Sequence, residues 1–113
     1  MKKFIAIYGA PVGAYDEMMK NPDPVKQKEG MDEWTAWMKK HNKSFVMGVN
    51  TPVGKNKRVT KDGIKDMRNE ISGISIVEAE SHDDAAKIFT DNQELKTPGA
   101  YVDVLTWVEM PGM

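Results

Sequence analysis

The chain has 113 residues, 40% of them hydrophobic, and its 16 basic and 17 acidic side chains give a formal charge of −1. This length predicts one domain over residues 1–113, and the near-neutral charge argues against a general attraction to nucleic acid or anionic membranes. The absence of cysteine excludes disulfides, thiolate catalysis and cysteine-ligated metals, and no apolar run reaches the roughly twenty residues that span a bilayer.

The chain opens with a pattern typical of a β-strand. Residues 3–8 are mostly apolar and include several residue types that favour β-strands, and Gly9 and Pro11 end this run. A signal peptide would need a longer apolar stretch and a cleavage site after it. We therefore expect a cytoplasmic protein that begins with a strand.

A long helix is predicted over residues 25–42. One of its faces carries residues at helical spacing, namely Gln27, Met31, Trp34, Met38 and His41, with Trp37 at the edge. Gly30 inside this helix costs about 1 kcal/mol relative to alanine. Its missing side chain suggests that another element approaches closely at this point.

The rest of the chain predicts three more sheet strands. One covers residues 43–49 and turns at 50–54, and an Asp-Gly pair ending at Gly63 predicts a hairpin. A strand over 73–79 leads to a short helix capped by Ser81, with Asp84 in the capping-box position, and the last strand is predicted over 101–108. This order predicts a ferredoxin-like βαββαβ fold of the α+β class, with an antiparallel sheet, an inserted hairpin and both helices on one face.

The predicted strands carry apolar residues that face both sides of the sheet: Phe4, Ile5, Phe45, Val46, Ile74, Ile76, Val77, Val104, Leu105 and Trp107. A sheet covered on one face alternates between apolar and polar residues. The second apolar face must be covered, and the same face of another copy would cover it. We therefore expect a two-fold homodimer whose sheets form a barrel-like core.

The first helix also presents the best candidates for a ligand site. Met31, Trp34, Trp37 and Met38 offer the polarizable surface that suits a flat apolar ligand. Spacing of this kind is also typical of an ordinary core, and the sequence leaves both interpretations open.

His41 shares this face and is the best candidate for proton transfer, with Asp103 or Glu78 as a conceivable partner. A histidine that is half-exposed, or has its hydrogen bonds satisfied, is the alternative. His82, beside the cap of the second helix, is expected at the surface. Two histidines without ligand spacing predict no metal site, and the sequence has no phosphate-binding loop or other cofactor motif.

The segment 55–68 holds six basic residues against two acidic ones. It is typical of a solvated hairpin whose charge discourages pairing at the sheet edge. An anion or nucleic-acid site is a weaker alternative, because the interleaved aromatic residues of a single-strand binder are absent.

Several segments resemble the YCII-related family of small bacterial proteins, particularly its DGPF-type branch. They are the opening strand, Met31-Asp-Glu-Trp-Thr-Ala-Trp-Met38, Val53-Gly54, Lys57-Arg-Val-Thr60 and the pattern Gly73-x-x-x-Val-Glu-Ala-x-Ser-x-x-x-Ala85. The resemblance covers nearly the whole chain. It implies a dimeric α+β barrel of ferredoxin-like halves.

The sequence differs from this family at two places, so the catalytic proposal made for some members does not apply to this chain. Some members carry a His–Asp pair proposed to be catalytic, but the matching positions here fall near Met31 or Asp32 and near Asn50 or Thr51. The Asp-Gly-Pro-Phe signature is replaced over residues 66–72. The resemblance therefore implies a fold and a dimer without implying a reaction.

The sequence leads to one main hypothesis on function and leaves catalysis open. We expect a homodimer that binds a small, partly apolar molecule between the sheet and the first helix. The alternative is a structural or protein-interaction module without catalytic activity, in which the helix face is entirely core.

Overall fold

The structure is a computed structural model that describes residues 1–14, 20 and 23–111, without the side chains of residues 47–49. The strands are β1 (Lys2–Gly9), β2 (Phe45–Pro52), β3 (Asn56–Thr60), β4 (Gly63–Met67), β5 (Ile71–Ala79) and β6 (Tyr101–Thr106). The helices are α1 (Pro24–His41) and α2 (His82–Ile88), with 3₁₀ helices at Asn42–Ser44 and Gln93–Lys96. The fold is mixed α+β, as predicted.

The main sheet has four strands in the order β2-β5-β1-β6, and every neighbouring pair is antiparallel. The central pair is β1 and β5, in which Phe4 lies opposite Val77 and Ile5 opposite Ile76. Strands β3 and β4 form a separate two-stranded hairpin. Gly63 follows its turn with φ +130°, a conformation that glycine adopts without strain.

Both helices begin after a side chain that caps them: Ser81, as predicted, and Asp23, which the sequence analysis did not identify. Asp23 accepts a hydrogen bond from the Val25 backbone N–H at 3.0 Å, and Pro24 occupies the first turn, where no N–H is needed. Ser81 caps α2 by accepting from the Asp84 N–H at 3.1 Å. Within the described part of the chain, no helix combines the length and the apolarity needed to cross a bilayer.

Strand β2 differs from its prediction at both ends. Residues Asn42–Ser44 form a 3₁₀ helix, so the strand begins at Phe45, and it continues to Pro52 through the predicted turn. Its pairing with β5 shifts register between Phe45 and Asn50. The irregularity places Asn50 opposite Ser75, inside the sheet instead of in a connecting loop.

Both helices pack on one face of this sheet. Alternate positions of β1 and β5 supply the buried residues of the sheet: Phe4, Ala6, Tyr8, Val77 and Ala79. The helices and the turn after α2 supply the others: Trp37, Ala85, Ile88 and Phe89. Their burial removes apolar surface from water at about 25 cal/mol per Å². This cluster is the hydrophobic core.

The opposite face of the sheet is also apolar, as the sequence predicts. The pairs Ile5–Ile76 and Ile7–Ile74 lie across the central strands and are half-buried. On β6, Leu105 lies opposite Ile5 and remains 41% exposed. Because α1 and α2 pack on the other face, neither helix covers the aliphatic side chains of this open face, and Asp103 of β6 lies beside them, opposite Ile7.

Gly30 does not allow another element to approach, contrary to the expectation from sequence. An added Cβ at this position meets no atom within 4 Å. Gly30→Ala is therefore expected to stabilise the protein by about 1 kcal/mol, because alanine loses less backbone entropy in a helix. Urea unfolding measures the change, and an unchanged or lower unfolding free energy would contradict it.

Candidate functional site

A chain of polar side chains crosses the helix-covered face of the sheet. The Tyr8 hydroxyl lies 2.9 Å from Ser75 Oγ, and Ser75 Oγ donates to Asn50 Oδ1 at 2.5 Å. Asn50 Nδ2 in turn donates to the Met38 sulfur at 2.8 Å. The chain therefore connects β1, β5 and β2 to α1, and we call these four residues the polar chain.

The polar chain lies beside aromatic side chains. The Tyr8 ring packs edge-on against Trp34, with centroids 5.8 Å apart, and against Phe89 at 5.9 Å. Trp34 also contacts Trp37, at 5.5 Å. Trp34 and Met38 are half-buried and pack against the core, whereas Tyr8 and Ser75 are almost completely buried.

Burial keeps the Tyr8 hydroxyl protonated. It raises the pKa of Tyr8 to about 12, and the negative charge of Glu94 adds to this effect, whereas the hydrogen bond with Ser75 opposes it. Glu94 is an exposed residue, but its carboxyl group is desolvated enough to raise its own pKa. At neutral pH, Tyr8 is therefore a hydrogen-bonding group and not a general base.

A second polar cluster lies at the C-terminal end of α1. Asp91 Oδ1 accepts from Trp37 Nε1 at 3.0 Å and lies 3.2 Å from His41 Nε2, while Lys40 pairs with Oδ2. The hydrogen bond from Lys40 is the main cause that lowers the pKa of Asp91 to about 2, and those from Trp37 and His41 act in the same direction. The cluster holds α1 against the segment that follows α2.

Of the four residues predicted to contact a ligand, Met38 belongs to the polar chain and Trp34 packs against its Tyr8. Trp37 is 5% exposed and belongs to the core, which fits the core interpretation of the helix face. Met31 is 65% exposed and lies outside both the core and the site. The helical spacing grouped these residues on one face without separating their three environments.

His41 has a carboxylate partner, but not one of those suggested by the sequence. Its partner is Asp91. Glu78 lies opposite Lys3, and Asp103 lies opposite Ile7, so both carboxylates belong to the open face of the sheet. The expectation of Asp103 or Glu78 as the partner was therefore wrong. His82 is exposed, as expected, and its Nε2 lies 2.6 Å from the Val104 carbonyl oxygen.

Sequence reasoning did not single out Tyr8, Ser75 or Asn50. One signal was present: Ser75 is a polar residue at the buried parity of β5, between Gly73 and Val77. A buried hydroxyl needs a partner, so its position pointed to a second polar group nearby. The identity of that group depended on the strand register.

Among the described residues, no group of three or more His, Asp or Glu side chains has a metal-binding arrangement. Aromatic walls with a few polar groups at the floor are typical of small-molecule sites.

Comparison with known proteins adds no relative. No protein-family model matches the chain. No curated protein sequence matches it.

Proposed function

We propose that the protein is a homodimer that binds a small, partly apolar molecule between the sheet and α1. The ligand would lie against Trp34 and Met38, above Tyr8 and Ser75. The observation that carries this proposal is the polar chain itself. It connects two buried hydroxyl groups and a half-buried amide on the one sheet face that is otherwise packed with apolar side chains.

Packing alone does not require these polar groups. Ser75 is fully buried, and alanine or valine at this position would fill the core without a hydrogen-bonding requirement. A satisfied polar network inside a core fixes side-chain orientations. Fixed polar groups beside aromatic walls are what a site uses to orient a small ligand.

Strand order supports a ferredoxin-like fold. In the sheet order β2-β5-β1-β6, one strand lies between the two strands that flank each helix, as two interleaved βαβ units require. The resemblance of residues 73–85 to the YCII-related family agrees with this architecture, and we propose membership of that family.

The open sheet face supports the homodimer. Monomers rarely expose a large continuous apolar patch. Ile5, Ile7 and Ile76 lie near the centre of this face, whereas the charged residues at the same parity lie toward one end (Lys3 and Glu78) and on the edge strand β6 (Asp103). A two-fold axis through the face would cover the isoleucines of one copy with those of the other.

The contacts of His41 favour an anchoring role over proton transfer. One ring nitrogen faces Asp91, and the ring packs on Trp37 with centroids 5.2 Å apart. A histidine held in this way fixes the end of α1, and with it the position of Met38. We therefore place the binding function at the polar chain.

Substitution of two methionines on α1 tests this proposal. Met38→Ala removes a ligand contact and the acceptor of Asn50, so we expect about tenfold weaker binding of small aromatic molecules. Met31→Ala, at an exposed position of the same helix, is the matched control and should bind as the wild type does. Isothermal titration calorimetry on hits from a thermal-shift screen measures both affinities.

Two results would count against this site. The first is a wild-type protein to which no aromatic alcohol, ketone, acid or amine binds at millimolar concentration. The second is equal weakening by both substitutions. Either result would favour the structural or protein-interaction module.

A further inference from the structure

One end of the open sheet face carries two opposite charges that do not form an ion pair with each other. Lys3 of β1 lies directly opposite Glu78 of β5. The Lys3 ammonium group instead turns toward the β6 side of the sheet and lies 5.6 Å from the ring centroid of Trp107. Within the described part of the chain, no ion pair includes the half-buried Glu78. In a dimer that covers this face, Glu78 would lose its remaining water and need a cation.

The strand register shows which arrangement of two copies supplies that cation. Three rows cross β1 and β5 on the open face: Lys3–Glu78, Ile5–Ile76 and Ile7–Ile74. A two-fold axis that runs along the strands, between β1 and β5, stacks each row on the same row of the partner subunit. Because this axis also places β1 over β5, it brings Lys3 of one copy to Glu78 of the other and stacks isoleucine on isoleucine.

An axis across the strands gives a poorer match. If it passes through the Ile5–Ile76 row, it places the charged row over the Ile7–Ile74 row, with Asp103 beside Ile7 on β6. Lys3 would then reach Asp103 of the partner subunit, but this carboxylate is exposed on an edge strand, where an ion pair adds little. Glu78 would be buried against isoleucine without a cation, and this cost is far larger.

We infer that the two-fold axis of the homodimer runs along the strands, and that two reciprocal ion pairs, each between Lys3 of one copy and Glu78 of the other, set its orientation. This inference rests on the proposed homodimer and specifies its interface. Each Lys3 ammonium group lies between its own Trp107 and the carboxylate of the partner subunit. Charges matched in this way determine the orientation of an interface more than its affinity.

Two charge-reversed variants test the reciprocal pairs by mixing. In a homodimer, Lys3→Glu places carboxylate against carboxylate, and Glu78→Lys places ammonium against ammonium. Each variant alone should therefore self-associate at least about tenfold more weakly than the wild type. An equimolar mixture restores both contacts between opposite charges, so sedimentation velocity should show that it regains most of the wild-type affinity. A contact within one chain cannot produce this rescue.

Asp103→Lys is the control for the direction of the axis. With the axis along the strands, this variant should dimerise as the wild type does. An axis across the strands would bring the introduced lysine to Lys3 of the partner subunit and weaken the dimer. Thermal unfolding checks that each variant is folded.

Cysteine crosslinking gives a second measurement that leaves the charges unchanged. The chain has no cysteine of its own. With sheets about 10 Å apart, the inferred axis separates the two β1 strands sideways by about 5 Å and the two β6 strands by about 14 Å. A short bismaleimide should therefore link Ile7→Cys chains into covalent dimers much faster than Leu105→Cys chains. An axis across the strands reverses this order.

The outcomes separate this inference from the homodimer beneath it. If the wild type dimerises, a mixture of folded variants that stays monomeric, or faster linking through Leu105→Cys, would overturn the inferred axis and leave the homodimer in place. A wild-type protein that is monomeric at micromolar concentration would overturn the homodimer and the inferred axis with it.

Discussion

Ile76→Lys is expected to convert the proposed homodimer into a monomer. Ile76 lies on the open face of β5, opposite Ile5 of β1, which in turn lies opposite Leu105 of β6. A lysine at this central position would place an unpaired charge between two apolar sheets. Burying such a charge costs several kcal/mol, which is enough to abolish association at micromolar concentration.

Sedimentation velocity at micromolar concentration measures this change. The control is Val25→Lys, which introduces the same charge at an exposed position on α1 and should leave the dimer intact. A wild-type protein that sediments as a monomer, or an Ile76→Lys variant that remains dimeric, would show that the open face is not the interface.

Asp91→Ala is expected to destabilise the protein by about 1–3 kcal/mol, because the buried Trp37 N–H loses its acceptor. Asp91→Asn keeps an acceptor oxygen for Trp37 but loses the charge that pairs with Lys40. It should therefore cost less than Asp91→Ala. Urea unfolding at neutral pH compares the two, with Glu109→Ala as a control for removing one exposed negative charge.

The effect of Asp91 should depend on pH. Its pKa is about 2 in the folded protein and 3.8 ordinarily, so its charged form stabilises the fold fully above pH about 4. That contribution is lost as the pH falls toward about 2. The gap in unfolding free energy between the wild type and Asp91→Asn should close over this range, and a gap that stays constant would contradict the role of the charge.

Local sequence patterns were sufficient to predict that the main-sheet strands and both helices exist and that the sheet has two apolar faces, but not where β2 and β6 end. Alternating burial along β1 and β5 follows the period of a strand, so apolar residues at both parities predicted two apolar faces. Asp23 and Ser81 are capping residues whose side chains satisfy backbone N–H groups within a few positions. Such short-range chemistry can be inferred from neighbouring residues alone.

The site depends on contacts that no local pattern contains. Phe45 and Asn50 are an odd number of positions apart, so a regular strand would direct them to opposite faces. The register shift in β2 instead pairs them with Val77 and Ser75, which share a face. This irregularity brings Asn50 to Ser75, and nothing in the sequence around Asn50 specified it.

The partner of His41 could not be predicted for the same reason, because the contact joins residues far apart in the sequence. Asp91 is fifty positions further along the chain and is one of several acidic residues after β5. Choosing among them requires the path of the chain beyond α2. The sequence showed that His41 lies on an apolar helix face and needs a partner, but not which carboxylate reaches it.

Methionine-methyl NMR tests the central claim, a ligand site between the sheet and α1, most directly. With the methionine methyl groups labelled with ¹³C, addition of 1-phenylethanol should shift the signal of Met38, which lies beside the polar chain. The signal of Met31, exposed on the same helix, should not move. A saturating titration that leaves Met38 unshifted, or shifts Met31 equally, would contradict the account.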